Sequence, residues 1–202
     1  REYTRTSTAI TNAYLSPILR NYVSVINEYF INLGGGNNVR YFQSNGGLAT
    51  GKVMSERSVY AINSGPASAP QAGLSVCNPF DYKNIITVDM GGTSFDITLT
   101  KDGNTNLNKN IDFLRYRIGI PMIQVETLGA GGGSIGRIDE MGLLQVGPQS
   151  AGADPGPACY NKGGNDPTVS DANLVLGYLN PDGLIGGKLP LKYENAFKSI
   201  EE

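Results

Sequence analysis

Histidine and tryptophan are absent from this 202-residue chain, and only two cysteines occur. Without histidine, Ser-His-Asp and Cys-His catalysis are excluded within the chain, as are most zinc sites. Any base or nucleophile must therefore be a carboxylate, lysine, tyrosine or cysteine. Cys77 and Cys159 lie far apart and form no C-x-x-C. They read as reduced thiols of a cytoplasmic protein, not as a disulfide framework. Charged residues make up only 17%, with a net charge of −2 and no basic cluster, so nucleic-acid binding has no electrostatic support. No apolar run approaches the ~20 residues of a membrane span. What remains is a chain that is 40% hydrophobic and long enough to bury a core as one domain or two small ones. It starts at Arg1 inside a helical pattern and ends in a charged helical tail, as expected of a piece of a longer protein.

The longest helical pattern covers residues 3–33. Ile10, Tyr14, Ile18, Tyr22, Val25, Ile26, Tyr29 and Phe30 recur at three- and four-residue spacing, which predicts one buried stripe. Pro17 should kink or break the helix, and the glycine-asparagine run 34–38 should end it. A short strand is expected at 39–42. Ser64-Gly65-Pro66 precedes a helical stretch at 67–76, where it reads as simple capping or as a place for an anion. Asp102-Gly103 predicts a tight turn, and 138–146 a hairpin around Met141-Gly142. Five glycines within residues 129–136 imply a close backbone approach. A proline- and glycine-rich loop spans 147–171 and carries Asp154, Asp166 and Asp171, whose spacing is not diagnostic of a metal site. Ser170 or Asp171 should cap a helix at 172–179, and a last helix is expected from Leu189 onward.

Residues 85–99 carry the most chemistry. A strand enters Asp89, followed by Met90-Gly91-Gly92-Thr93-Ser94-Phe95, and a second carboxylate, Asp96, opens the next strand. Gly91 and Gly92 can take positive φ and turn their amides toward an anion, while Thr93 and Ser94 can donate to phosphate oxygens. Mg²⁺ keeps several waters, so two carboxylates suffice to hold it beside a phosphate. A strand, not a helix, follows the glycines, and no G-x-x-x-x-G-K-[ST] occurs, so this is not a P-loop. An ordinary tight hairpin with polar turn residues is the plain alternative.

Six ordered motifs resemble the hydantoinase A / 5-oxoprolinase family. They are residues 1–8 (Arg1-Glu2-Tyr3-Thr4-Arg5-Thr6-Ser7-Thr8), Gln43-Ser44-Asn45-Gly46-Gly47, Ser64-Gly65-Pro66-Ala67, Asp89 to Asp96, 126–135 (opening Glu126-Thr127-Leu128-Gly129), and 147–173. The family comprises ATP-dependent hydantoinases, 5-oxoprolinases and the ATP-using subunits of acetone-type carboxylases. The resemblance implies an α/β fold: an actin-like ATPase (ribonuclease-H-like) lobe with a mixed β-sheet and flanking helices. Residues 1–202 would be a central lobe, with a connecting helix at 1–35, a sheet core at 39–146 holding the phosphate hairpin at 85–100, the loop at 147–171 and a helical end at 172–202.

By that resemblance Asp89 and Asp96 are the catalytic and Mg²⁺-holding carboxylates. Gly91, Gly92, Thr93 and Ser94 contact the ATP phosphates, and Gly131, Gly132, Gly133 and Ser134 line the cleft. The implied reaction phosphorylates an unreactive carbonyl oxygen of a small cyclic amide before hydrolysis. A second, hydantoinase B-type subunit or domain would take part, in the cytoplasm, with no nucleic acid or membrane involved. The alternatives are the ATP-using subunit of an acetone-type carboxylase and a non-catalytic actin-like nucleotide switch. Two departures stand out: Ser68-Ala69 replaces the family's Ala-Gly after Ser-Gly-Pro-Ala, and Phe95 replaces a hydroxyl residue before Asp96. The first phosphate motif and the adenosine motif are not in these residues, so the fragment alone should be inactive.

Overall fold

A computed structural model describes residues 2–35, 38–113, 115–184 and 186–201. Arg1 of the first motif and Gly36-Asn37 of the expected glycine turn lie outside the described residues. The chain divides into two compact units, residues 1–88 with 97–126, and residues 89–96 with 127–202.

The first unit begins with helix α1 (Glu2–Asn32). Strands β1 (Arg40–Phe42) and β2 (Leu48–Thr50) form an antiparallel pair, and α2 (Gly51–Glu56) follows, capped by the Thr50 hydroxyl. A 3₁₀ turn at Ser58–Ala61 and another at Pro66–Ser68 lead into α3 (Ala69–Cys77). Strands β3 (Ile85–Met90) and β4 (Phe95–Lys101) are neighbours in one sheet, which β5 (Asn104–Thr105) extends through the expected Asp102-Gly103 turn. Strands β6 (Leu107–Asn108), β7 (Ile111–Phe113), β8 (Tyr116–Ile118) and β9 (Met122–Ile123) complete the unit as antiparallel pairs β6–β9 and β7–β8. Val59, Ile118, Ile120 and Met122 make one buried cluster, and Val23, Ala49 and Met54 another.

Helix α1 overturns one expectation, that of a buried apolar stripe. It runs unbroken through Pro17, and its buried residues are Ser7, Ser16 and Val23. The predicted apolar stripe lies outside, with Tyr14 76% and Ile18 67% exposed. The reason is what the helix packs on. The Ser7 hydroxyl donates to the Arg117 carbonyl, and Thr8 Oγ1 accepts from the Gly119 amide at 2.9 Å. Asn12 accepts from the Val59 amide at 3.0 Å and donates to the Glu56 carbonyl at 3.1 Å. These groups sit on a strand edge, at a helix end and in turns, where their own elements leave them a bond short, and an aliphatic row could not supply it.

The second unit holds the tip of the β3–β4 hairpin, β10 (Glu126–Leu128) from Thr127 onward, the antiparallel pair β11 (Ser134–Ile138) and β12 (Leu144–Ser150), α4 (Val169–Val175) and α5 (Tyr193–Glu201). β11 and β12 are the hairpin expected around Met141-Gly142. Its core is Cys159, Leu174, Leu191 and Ala196. Thr168, not Ser170 or Asp171, caps α4, and Asp171 returns the bond to the Thr168 amide in a capping box.

Asp171 is fully buried. Its carboxylate accepts from the amides of Ala158 (3.3 Å), Cys159 (2.7 Å) and Thr168 (3.0 Å) and from the Thr168 hydroxyl (2.7 Å). With its oxygens so engaged it holds the 147–171 loop onto α4 and is no metal ligand. Burial, with Asp171 beside it, pushes the Cys159 thiol up to about 12, so it is no thiolate at neutral pH.

Two outcomes follow. Asp171→Asn turns an amide nitrogen toward backbone donors and should cost about 3 kcal/mol or more of unfolding free energy, measured by urea denaturation. Cys159 binds its proton more tightly folded than unfolded. Its contribution to stability is therefore full below the ordinary thiol range and is lost as pH rises toward about 12. A Cys159→Ser variant should flatten that alkaline decline in thermal melts.

Candidate active site

The turn between β3 and β4 is closed by the Gly91 amide donating to the Ser94 carbonyl at 2.9 Å. Further along, the Thr87 and Thr98 hydroxyls touch. Both pairings belong to one register. Two residues nearer the turn, that register sets Asp89 opposite Asp96 on the same face. Asp89 is exposed and Asp96 half-buried. The Thr127 hydroxyl donates to Asp96 Oδ1 at 2.5 Å and so orients it. The sequence carries no local sign of this role for Thr127, because its contact with Asp96 spans 31 residues. Neither aspartate forms an ion pair among the described residues. Like charges directly across a hairpin repel, and a divalent cation between them would remove that cost.

Gly91 and Gly92 do not take the positive φ expected of them. A Cβ on Gly92 would meet nothing within 4 Å, and one on Gly91 would meet only the Ser94 carbonyl at 3.7 Å. Their value is an open approach to the turn. Among the described residues the amides of Gly92, Thr93 and Ser94 have no acceptor. Three unused donors at the tip and a carboxylate pair behind it are a chemically sound set for a magnesium-bound phosphate. The described residues contain no group of three or more acidic, cysteine or histidine side chains that would hold a metal alone.

The glycine run beyond β10, expected to line the cleft, is bonded to the turn. The Gly132 and Gly133 amides donate to the Gly91 and Gly92 carbonyls at 2.9 and 2.7 Å. The Gly131 amide donates to Ser134 Oγ at 2.9 Å, and Ser134 is buried. On Gly131 a Cβ would sit 2.5 Å from the Thr93 nitrogen and 2.6 Å from that of Ser94. Gly131, Gly132, Gly133 and Ser134 thus fasten the turn from behind. A cavity of about 440 Å³ opens beside them, walled on one side by Met90, Gly91, Gly92, Gly132 and Gly133. By strand alternation Met90 points to the face opposite Asp89.

Gly131→Ala cannot be accommodated without moving turn backbone. It should lower the melting temperature by several degrees and speed hydrogen exchange at Gly92, Thr93 and Ser94, read by NMR.

A family model described as hydantoinase/oxoprolinase matches residues 5–202. The chain is 66% identical over 200 residues to caprolactamase subunit alpha of Pseudomonas jessenii, covering 99% of this chain and 29% of that protein. It superposes with a TM-score of 0.79 on the ATP-dependent caprolactamase from Pseudomonas jessenii, at 64% identity over 100% of this chain and 29% of that one. On nucleotide-free acetone carboxylase it superposes with a TM-score of 0.76, at 31% identity, over 100% of this chain and 28% of that one. The α/β class expected from the sequence is therefore the fold of ATP-dependent enzymes of this kind. The chain spans about 29% of the length of the curated relative first named. A carboxylate-flanked glycine turn, a glycine run that fastens it and a model match over nearly every residue agree: the chain belongs to the hydantoinase/oxoprolinase family.

Proposed function

We propose that this chain is the central lobe of an actin-like ATPase and supplies half of the nucleotide site of a cytoplasmic, ATP-dependent hydrolase of cyclic amides. The observation that carries the reading is the register that sets Asp89 opposite Asp96 behind a turn with three unused amides. Identity of 66% to a caprolactamase subunit, against 31% to the acetone carboxylase structure, favours hydrolysis over carboxylation.

In this reading Asp89 and Asp96 hold Mg²⁺ or its waters, and Thr127 fixes the Asp96 carboxylate. The Gly92, Thr93 and Ser94 amides and the Thr93 and Ser94 hydroxyls neutralise phosphate oxygens. ATP supplies the phosphoryl group that converts an inert amide oxygen into a leaving group. Catalysis of that kind needs positioning and charge stabilisation more than a protein nucleophile, which suits a chain without histidine. Gly131, Gly132, Gly133 and Ser134 act by keeping the turn in place. The relative's designation as a subunit supports a second, hydantoinase B-type partner that completes hydrolysis.

Asp89→Asn keeps the side chain's size and removes its charge. In the whole enzyme with its partner and Mg²⁺ it should lower amide-stimulated ATP hydrolysis by about 100-fold or more, measured by phosphate release. Unchanged turnover would remove Asp89 from the metal site.

A further inference from the structure

The cavity beside the turn contains polar side chains that phosphate chemistry does not use. Ser170 is only 8% exposed, yet its hydroxyl has no partner among the described residues and opens on the cavity. Asn173 and Tyr160, both half-buried, line the same space, and their side-chain polar atoms are likewise without partners among the described residues. The backbone explains the convergence. The Ser170 amide donates to the Gly132 carbonyl at 2.8 Å, which pins the first turn of α4 to the glycine run. Asn173 follows three residues later on the same helix face. Tyr160 ends the 3₁₀ turn Ala158–Tyr160, which Asp171 holds at its start. Pro157, Leu179 and Leu184 supply an apolar wall, and no lining residue carries a charge at neutral pH.

Away from the turn the lining side chains are neutral, which suits an uncharged polar ligand. Its volume of about 440 Å³ lies within the roughly 300–1,000 Å³ of small-molecule sites. The carboxamide of Asn173 presents a carbonyl and an N–H side by side. A ring amide is held cis, so its own N–H and carbonyl also lie side by side. The two edges pair at two points, whereas an open-chain trans amide offers only one at a time.

We propose that this cavity is the subsite for the cyclic amide: Asn173 pairs with the cis amide edge, Ser170 and Tyr160 bond its remaining polar atoms, and Leu179 and Leu184 cover the ring carbons. The assignment rests on the reading of the chain as part of a cyclic-amide hydrolase. It goes further in naming the side chains that hold the ring amide.

The test is steady-state ATP hydrolysis by the whole enzyme with its partner subunit, using caprolactam, hydantoin and 5-oxoproline as probes. Asn173→Ala should raise the KM for caprolactam about tenfold with the KM for ATP within about twofold, and Ser170→Ala and Tyr160→Phe about threefold each. A shift in the KM for ATP alone would give the cavity to the nucleoside and overturn the proposal, as would no shift in any of the three variants. Ligand-observed NMR of caprolactam separates the two readings. Binding that Asn173→Ala abolishes, in an enzyme without amide-stimulated turnover, keeps the subsite and fells the hydrolase. Turnover insensitive to all three variants does the reverse.

Discussion

One short stretch of backbone organises the second unit. Residues 131–133 run through a tight turn between two partners, donating from Gly132 and Gly133 to the carbonyls of the hairpin tip and accepting from Ser170 and Ala151 on the other side. At Gly131 the approach excludes a Cβ, which would meet turn backbone at 2.5 Å, while at Gly132 and Gly133 a Cβ would crowd the Ser170 and Ser150 hydroxyls at 2.9 Å. The turn, the start of α4 and the loop after β12 therefore share one hydrogen-bonded seam. Amides used in that seam are unavailable to a ligand, which leaves the tip amides, residues 92–94, as the unused donors among the described residues.

How much could be read without coordinates differs between the two units. The hairpin at 85–101 was legible because strand, turn and strand are consecutive and the chemistry is local. The glycine run announced a close approach, yet its partner was not legible, because residues 91 and 132 meet only through tertiary folding. Asp171 read as a helix cap of uncertain further use. Its bonds to residues 158 and 159 lie more than ten positions away and have no local signature.

Helix α1 shows the opposite failure. Its apolar spacing was strong, and the inference from spacing to burial did not hold. The hydroxyl and amide side chains of Ser7, Thr8, Asn12 and Ser16 take the inner face because polar groups of a strand edge, of turns and of Ser58 lie beneath them. Periodicity reports which residues share a face and says nothing of what that face meets. In a chain that spans a fraction of its relatives' length, the apolar side need not be the one turned toward these residues.

The four bonds at Asp171 also couple parts of the chain that have little else in common. The 3₁₀ turn at Ala158–Tyr160 and the start of α4 reach the same carboxylate, and Cys159 and Leu174 share one small core. Neither segment can fray alone without stranding buried donors. Loop, turn and helix should thus open as a single cooperative element, so that a proline-rich surface segment has the protease resistance of a core one.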